Sequence, residues 1–378
     1  MLRQRHPLAN PKLPGAPRGI SGLPARGRDG CFFNFGMSSP DLLAAAREGT
    51  LDRLPPGAMT AENLARPNAS GNTAYHLAAK YGHLRQIPAA LVTPATLLLK
   101  NDAGYTPLHL AARTGRLDQL PREFLTAEFL LSRSNSGYTP LHLAAAAGQL
   151  GQLPPGILTA ETILAKTDHG NTLLHEAAEN GTLDRVPAEF ITPAALASPN
   201  ISGETVLHVA VFNGHLDQVP REFLTGPALL AKTANHDTCL HAAAISGHLD
   251  QIPTEFLTHD NLVMASKSGH TPIHAAAESG FLSQIPPDRL SIDLVIARNE
   301  YGDTPLHAAA VEGRLNQIPT RFLNRTTLLI RNYSGGTPLG AAIRNGHADQ
   351  LPPEFRPRPP AWWQKLLYRA GLARPPYA

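Results

Sequence analysis

The 378 residues suffice for two ordinary domains or for one long repeat array. Thirty-five prolines, about twice the usual share, and an aromatic content of 6% exclude a large core built on rings. The formal charge of +3 is uneven: residues 1–36 carry six Arg or Lys against Asp29, residues 353–378 carry five against Glu354, and the body between is net acidic. That distribution is a poor footprint for nucleic acid, so no nucleic-acid partner is expected.

Residues 1–36 are basic and rich in Pro and Gly, without the apolar stretch of a secretory leader. They read as a disordered tail. Met37 stands two residues before Ser39-Pro40-Asp41, the first helix-start signal, and offers an alternative translation start. Two cysteines, Cys31 and Cys239, make no disulfide framework and fit a reducing, cytoplasmic compartment. No apolar run reaches 18 residues, so no membrane span is expected.

From 37 to 355 the chain repeats itself. The threonine of "TPLH" stands at Thr73, Thr106, Thr139, Thr172, Thr205, Thr238, Thr271, Thr304 and Thr337, every step 33 residues. A histidine follows three places on, from His76 to His307, until Gly340 breaks the series. A glycine closes each first helix, from Gly49 to Gly346, and an [ILV]-Pro pair recurs from Leu54-Pro55 to Leu351-Pro352. A fixed period of this length signals a solenoid, in which each unit buries its apolar face on its neighbours.

"GYTPLHLAARTGRLDQLPREFLT" (104–126) shows the chemistry of one unit. Thr106 is a helix N-cap, and Pro107 suits the first helical position, where no N–H is needed. Leu108, Ala111 and Ala112 form a thin apolar face, and Gly115 accepts the left-handed conformation that ends a helix. Pro121 then interrupts the place where a second helix would run. A new start signal follows at Thr126 with Glu128. The expectation is an intact first helix in every unit. The second should be split into a short turn, a "PREFL" turn and a Thr-capped helix.

At these residues the sequence resembles the ankyrin repeat: G-x-TPLHxAA-x-x-G-x-L at a 33-residue period, over about ten units. The resemblance implies an all-α, ankyrin-type helical solenoid with turn tips projecting to one side and protein–protein binding as its job. The [ILV]-Pro break is this chain's departure from the family. Three roles stay open: a non-catalytic scaffold for a protein partner, a structural or self-associating protein, and an effector delivered to another cell, as some bacterial ankyrin proteins are.

Positions that vary while the frame holds are the binding candidates. One row precedes each threonine, and another follows the paired alanines. By resemblance these line the turn tips and inner face. Tyr81, Tyr105, Tyr138, Phe212 and Ile245 are the candidate anchors, since interface hot spots favour large rings in a desolvated centre. A glutamine precedes [ILV]-Pro in eight units and is expected to bond backbone freed by its own proline. Each "TPLH" histidine is expected to satisfy the capped turn of its own unit. One ring per 33 residues cannot gather zinc ligands, "HEAAE" at His175 lacks the second His of a zinc protease, and no Gly-Lys-Ser/Thr loop occurs. No enzyme activity, metal, cofactor or small-molecule substrate is therefore expected.

Residues 356–378 contain both tryptophans, Trp362 and Trp363. Trp363, Leu366, Leu367 and Ala370 fall at helical spacing, and the segment reads as a cap over the last unit. Docking of Trp362 and Trp363 at a membrane surface is the minor alternative.

Overall fold

The computed structural model describes residues 41–55 and 57–357. The basic tail at 1–36, the Met37 start and the Trp-containing segment from 358 onward lie outside the described residues. Among the described residues there is no strand. Ten long helices define ten units: α1 Leu42–Glu48, α2 Ala74–Tyr81, α3 Pro107–Arg113, α4 Pro140–Ala146, α5 Leu173–Asn180, α6 Val206–Asn213, α7 Cys239–Ser246, α8 Pro272–Ser279, α9 Pro305–Glu312 and α10 Pro338–Arg344. Each packs on the long helix before and after it, so the array is a helical solenoid.

Small side chains set that packing. The second alanine of each pair, from Ala79 and Ala112 to Ala277 and Ala310, is at most 1% exposed, with Val211 in the same place. A methyl group there lets neighbouring backbones approach at the close end of the 8–10 Å range. The leucine just after the N-terminal proline, as in Leu108, Leu141 and Leu306, fills the space beside it at 0% exposure.

The outer layer is split as the prolines predict. In unit 3, Leu117–Gln119 is a 3-10 turn, Arg122–Phe124 a second one, and Ala127–Leu130 a helix of four residues. Between them Leu120 is extended, the conformation that a following proline imposes. Its side chain plugs the core at 5% exposure. Pieces this short are far below the length at which a helix stands alone. They hold because they dock on the long helices, and several are capped as well. Thr60, Thr93, Thr159, Thr192 and Thr258 each accept the N–H at the third helical position.

Each turn tip stacks on the next through backbone. The N–H of Asn135 donates to Ala103 O at 3.1 Å, and Asp168, Ile201, Ala234 and Lys267 repeat the bond down the array. The tight tip favours glycine. Gly104 has φ 76°, and a Cβ there would sit 2.6 Å from the Asn135 nitrogen. His236 takes the corresponding position in unit 7 at φ 65°, alone among the described non-glycine residues.

Candidate interaction surface

The threonine–histidine pair builds the surface as well as the fold. Each "TPLH" ring is buried. Its Nδ1 accepts the backbone N–H of its own unit's threonine, at 3.1 Å in His109 and His175, and also accepts the threonine hydroxyl at 2.8 Å. The proton therefore sits on Nε2, which reaches forward. His76 donates to Tyr105 O at 2.9 Å, His109 to Tyr138 O at 3.0 Å and His175 to Glu204 O at 3.1 Å. The series continues to His307 and Gly336 O. The sequence suggested the own-unit half of this arrangement; the forward half fixes the backbone of the tip residues from Tyr105 to Gly336. Burial lowers the ring pKa to about 4 in His109, His142, His175, His208, His241 and His274. A ring charged at Nδ1 would lose the bond from the threonine backbone N–H.

The glutamines reach backward, which corrects the expectation that each serves its own proline. Gln218 Nε2 donates to Gly181 O at 3.0 Å, and its Oε1 accepts from Leu183 N at 2.9 Å. Gln86, Gln251 and Gln284 make the same pair of bonds to the unit before them. The physical reason lies in the helix ending. The glycine that closes a long helix exposes a carbonyl, and the turn after it exposes an N–H. One amide from the next unit satisfies both. The proline leaves no such paired need in its own unit. Gln119 departs from the pattern and bonds Asp118 instead.

On this frame the candidate anchors are all partly buried. Tyr105 and Tyr138, on neighbouring tips, lean on His109 and His142 with ring centroids 5.4 and 6.0 Å apart. The Arg113 guanidinium lies 5.5 Å over the Tyr105 ring. Phe212 and Ile245, on adjacent helices α6 and α7, pack against the core edge. Tyr81 stands apart at the end of α2, with Lys80 Nζ 5.0 Å from its ring.

Glu176 was missed in the sequence. It is 1% exposed on α5 and accepts from Asn171 Nδ2 at 3.1 Å. The Tyr138 side chain lies close enough to act on the same carboxyl. Burial pushes its carboxyl up to about 7, and nearby Glu179 adds to the effect. The signal was available: every 33 residues this position holds Leu77, Leu110, Leu143, Val209, Ala242 or another apolar residue, and only here a charge. Tyr138, Asn171, Glu176, Glu179 and Glu204 thus make one polar centre midway along the inner face, flanked by Tyr105 on one side and Phe212 on the other.

A family model for ankyrin repeats (three copies) matches residues 90–153. Over that segment the chain is similar to the ankyrin repeat. The histidine and tip bonds described above recur from unit 2 to unit 10, so the ankyrin frame continues on both sides of the matched segment. No curated protein matches the chain.

Two concavities of about 290 Å³ lie elsewhere on the array. One opens on the inner face of units 8–10, lined by His270, Glu278, Asp303, Glu312 and Arg344. The other is apolar and lies in the outer layer between Leu196, Phe223 and Ala228. The row to which Ala228 belongs explains it. Thr96, Thr162 and Asn261 use that position to bond the carbonyl five residues back, and Phe129 fills it with a ring 5.9 Å from Phe124. Ala195 and Ala228 do neither. Among the described residues no three His, Cys, Asp or Glu side chains are placed to hold a metal, and no helix is long and apolar enough to cross a membrane. Cys239 is buried at the start of α7, where burial pushes its thiol pKa up.

Proposed function

We propose that this ankyrin chain is a non-catalytic scaffold whose protein partner docks on the inner face and turn tips of units 3–7. The observation that carries the reading is the division of labour within each unit. Bonds to backbone hold the tips and helix ends in place, while the side chains on the two candidate rows change from unit to unit. A surface fixed in advance needs little ordering on association, which leaves more of the contact energy for affinity. Tyr105, Tyr138, Phe212 and Ile245 supply the apolar anchors, and the Glu176 centre between them supplies polar discrimination. Two cysteines without a disulfide framework support a reducing, cytoplasmic setting.

The test is affinity capture from lysate of the producing cells, with the full chain beside its Tyr105→Ala/Tyr138→Ala/Phe212→Ala variant. A protein held by the first and lost from the second supports this face. A protein held equally by both rules it out as the docking surface.

A further inference from the structure

The end of the array differs from its interior in a way that selects what covers it. Of the described long helices, α10 packs on α9 alone, with the short helix Arg325–Leu328 of its outer layer beside it. At its second-alanine position stands Ile343, 41% exposed, where every inner unit from Ala79 to Ala310 has a small residue buried to 1% or less. Leu339, in the row of Leu108 and Leu306, is only partly buried. The closing glycines of inner units meet a side chain from the following unit: Gly214 meets His248, and Gly313 meets His347. Gly346 meets no described residue within 4 Å.

This face is apolar, yet it lacks the fittings that receive another ankyrin unit. Gly340 replaces the histidine, so no imidazole N–H is offered to a following tip carbonyl. Ile343 adds three heavy atoms where helices meet at alanine, and overpacking of that kind is destabilising. A second copy stacked head to tail, with its first helix in register, is therefore a poor occupant. Chain length supplies a better one. The described chain stops at Pro357, just after the outer turn Pro353–Phe355 of the same unit. One helix diameter, about 10 Å, separates an outer element from the inner helix it covers. Five residues reach up to about 17 Å, and the sixth and seventh residues after Arg356 are Trp362 and Trp363.

We propose that the segment 358–378 folds back onto the end face of unit 10 and seats its tryptophans against Ile343 and Leu339. Trp side chains bury large apolar area while keeping an N–H available for a rim partner, which suits a face bounded by exposed backbone and polar residues. The inference is independent of where a partner docks on the inner face.

The chain carries no other tryptophan, so its fluorescence reports this segment directly in the intact protein. The wild type should emit to the blue of tryptophan in water and resist acrylamide. Ile343→Asp should shift the emission red and remove that resistance, while Val311→Asp, on the exposed row of α9, should change neither. Helical circular dichroism is recorded for each; if Ile343→Asp unfolds, Ile343→Ser takes its place with the same readouts. Wild-type tryptophans as quenchable as the free amino acid overturn the proposal. So does protection that survives the substitution at Ile343 in a folded chain, or protection that fades on dilution as light scattering falls from dimer to monomer.

Discussion

The two layers of each unit are held by different means. The inner layer has helices of seven or eight residues, small side chains at the contacts, and hydrogen bonds that run from one unit to the next. The outer layer has pieces of three to five residues, several of them held by a side-chain cap such as Thr159. Coupling along the array therefore runs through the long helix and the turn just after it, where a histidine reaches forward from the one and a glutamine reaches back from the other. The outer layer tolerates differences such as Phe129 against Ala228 because a change there alters a local pocket and leaves the stack in place. A surface meant to stay rigid is best built on the coupled layer, and that is where the candidate anchors stand.

Acid should break the inner layer most strongly. Six rings have folded pKa values near 4, below the usual 6.5. Folded rings stay neutral while unfolded ones take protons, so stability is intact above about pH 6.5 and falls as pH drops toward 4. Each ring withdraws about 1.4 kcal/mol per pH unit in that window. Circular dichroism should show cooperative unfolding on acidification, at a midpoint of about pH 5; an unchanged melting temperature from pH 7 to pH 5 would contradict the buried neutral rings.

Glu176→Gln should act with the opposite pH sense. Its folded pKa is raised to about 7 from 4.5, so the charged form opposes folding, and that cost grows as pH rises from 4.5 through 7. The amide keeps partners for Asn171 and Tyr138, and it should stabilise the chain by about 1–3 kcal/mol at pH 8 and by little at pH 5. Thermal melts at both values decide it. Gln218→Ala with Gln251→Ala leaves four backbone groups without their partners and should cost about 2 kcal/mol by urea unfolding. An additive pair with no measurable cost would remove the backward bonds from the account. In the outer layer, Thr159→Ala should cost about 1 kcal/mol, since its hydroxyl caps Ala160–Ile163. Thr126→Ala should cost less, because the Thr126 hydroxyl makes no such bond.

Much of the fold was legible in the sequence because its signals are local. Thr106, Pro107 and Gly115 announce one helix within ten residues, and Pro121 with Thr126 announces the split that follows. What was misread or missed depends on residues about 33 positions away. Gln218 resembles a solvated amide until Gly181 O and Leu183 N are placed beside it. The forward bond of His109 needs the Tyr138 carbonyl of the next unit. Glu176 was hidden by reading each unit along the chain and could be seen only by reading its column down the repeats. For the candidate anchors, only their rows were legible; their partial burial and their ring contacts with His109 and His142 needed the stacked neighbours.

Hydrogen exchange on the intact chain at about neutral pH tests the central claim most directly, since it reads each layer separately. The amides of α5, α6 and α7 should exchange slowest and together, as one coupled stack. Those of the short helices Pro193–Leu196 and Gly226–Leu229 should exchange faster through local opening. Outer amides protected as strongly as inner ones, or long helices that exchange each at its own independent rate, would contradict it.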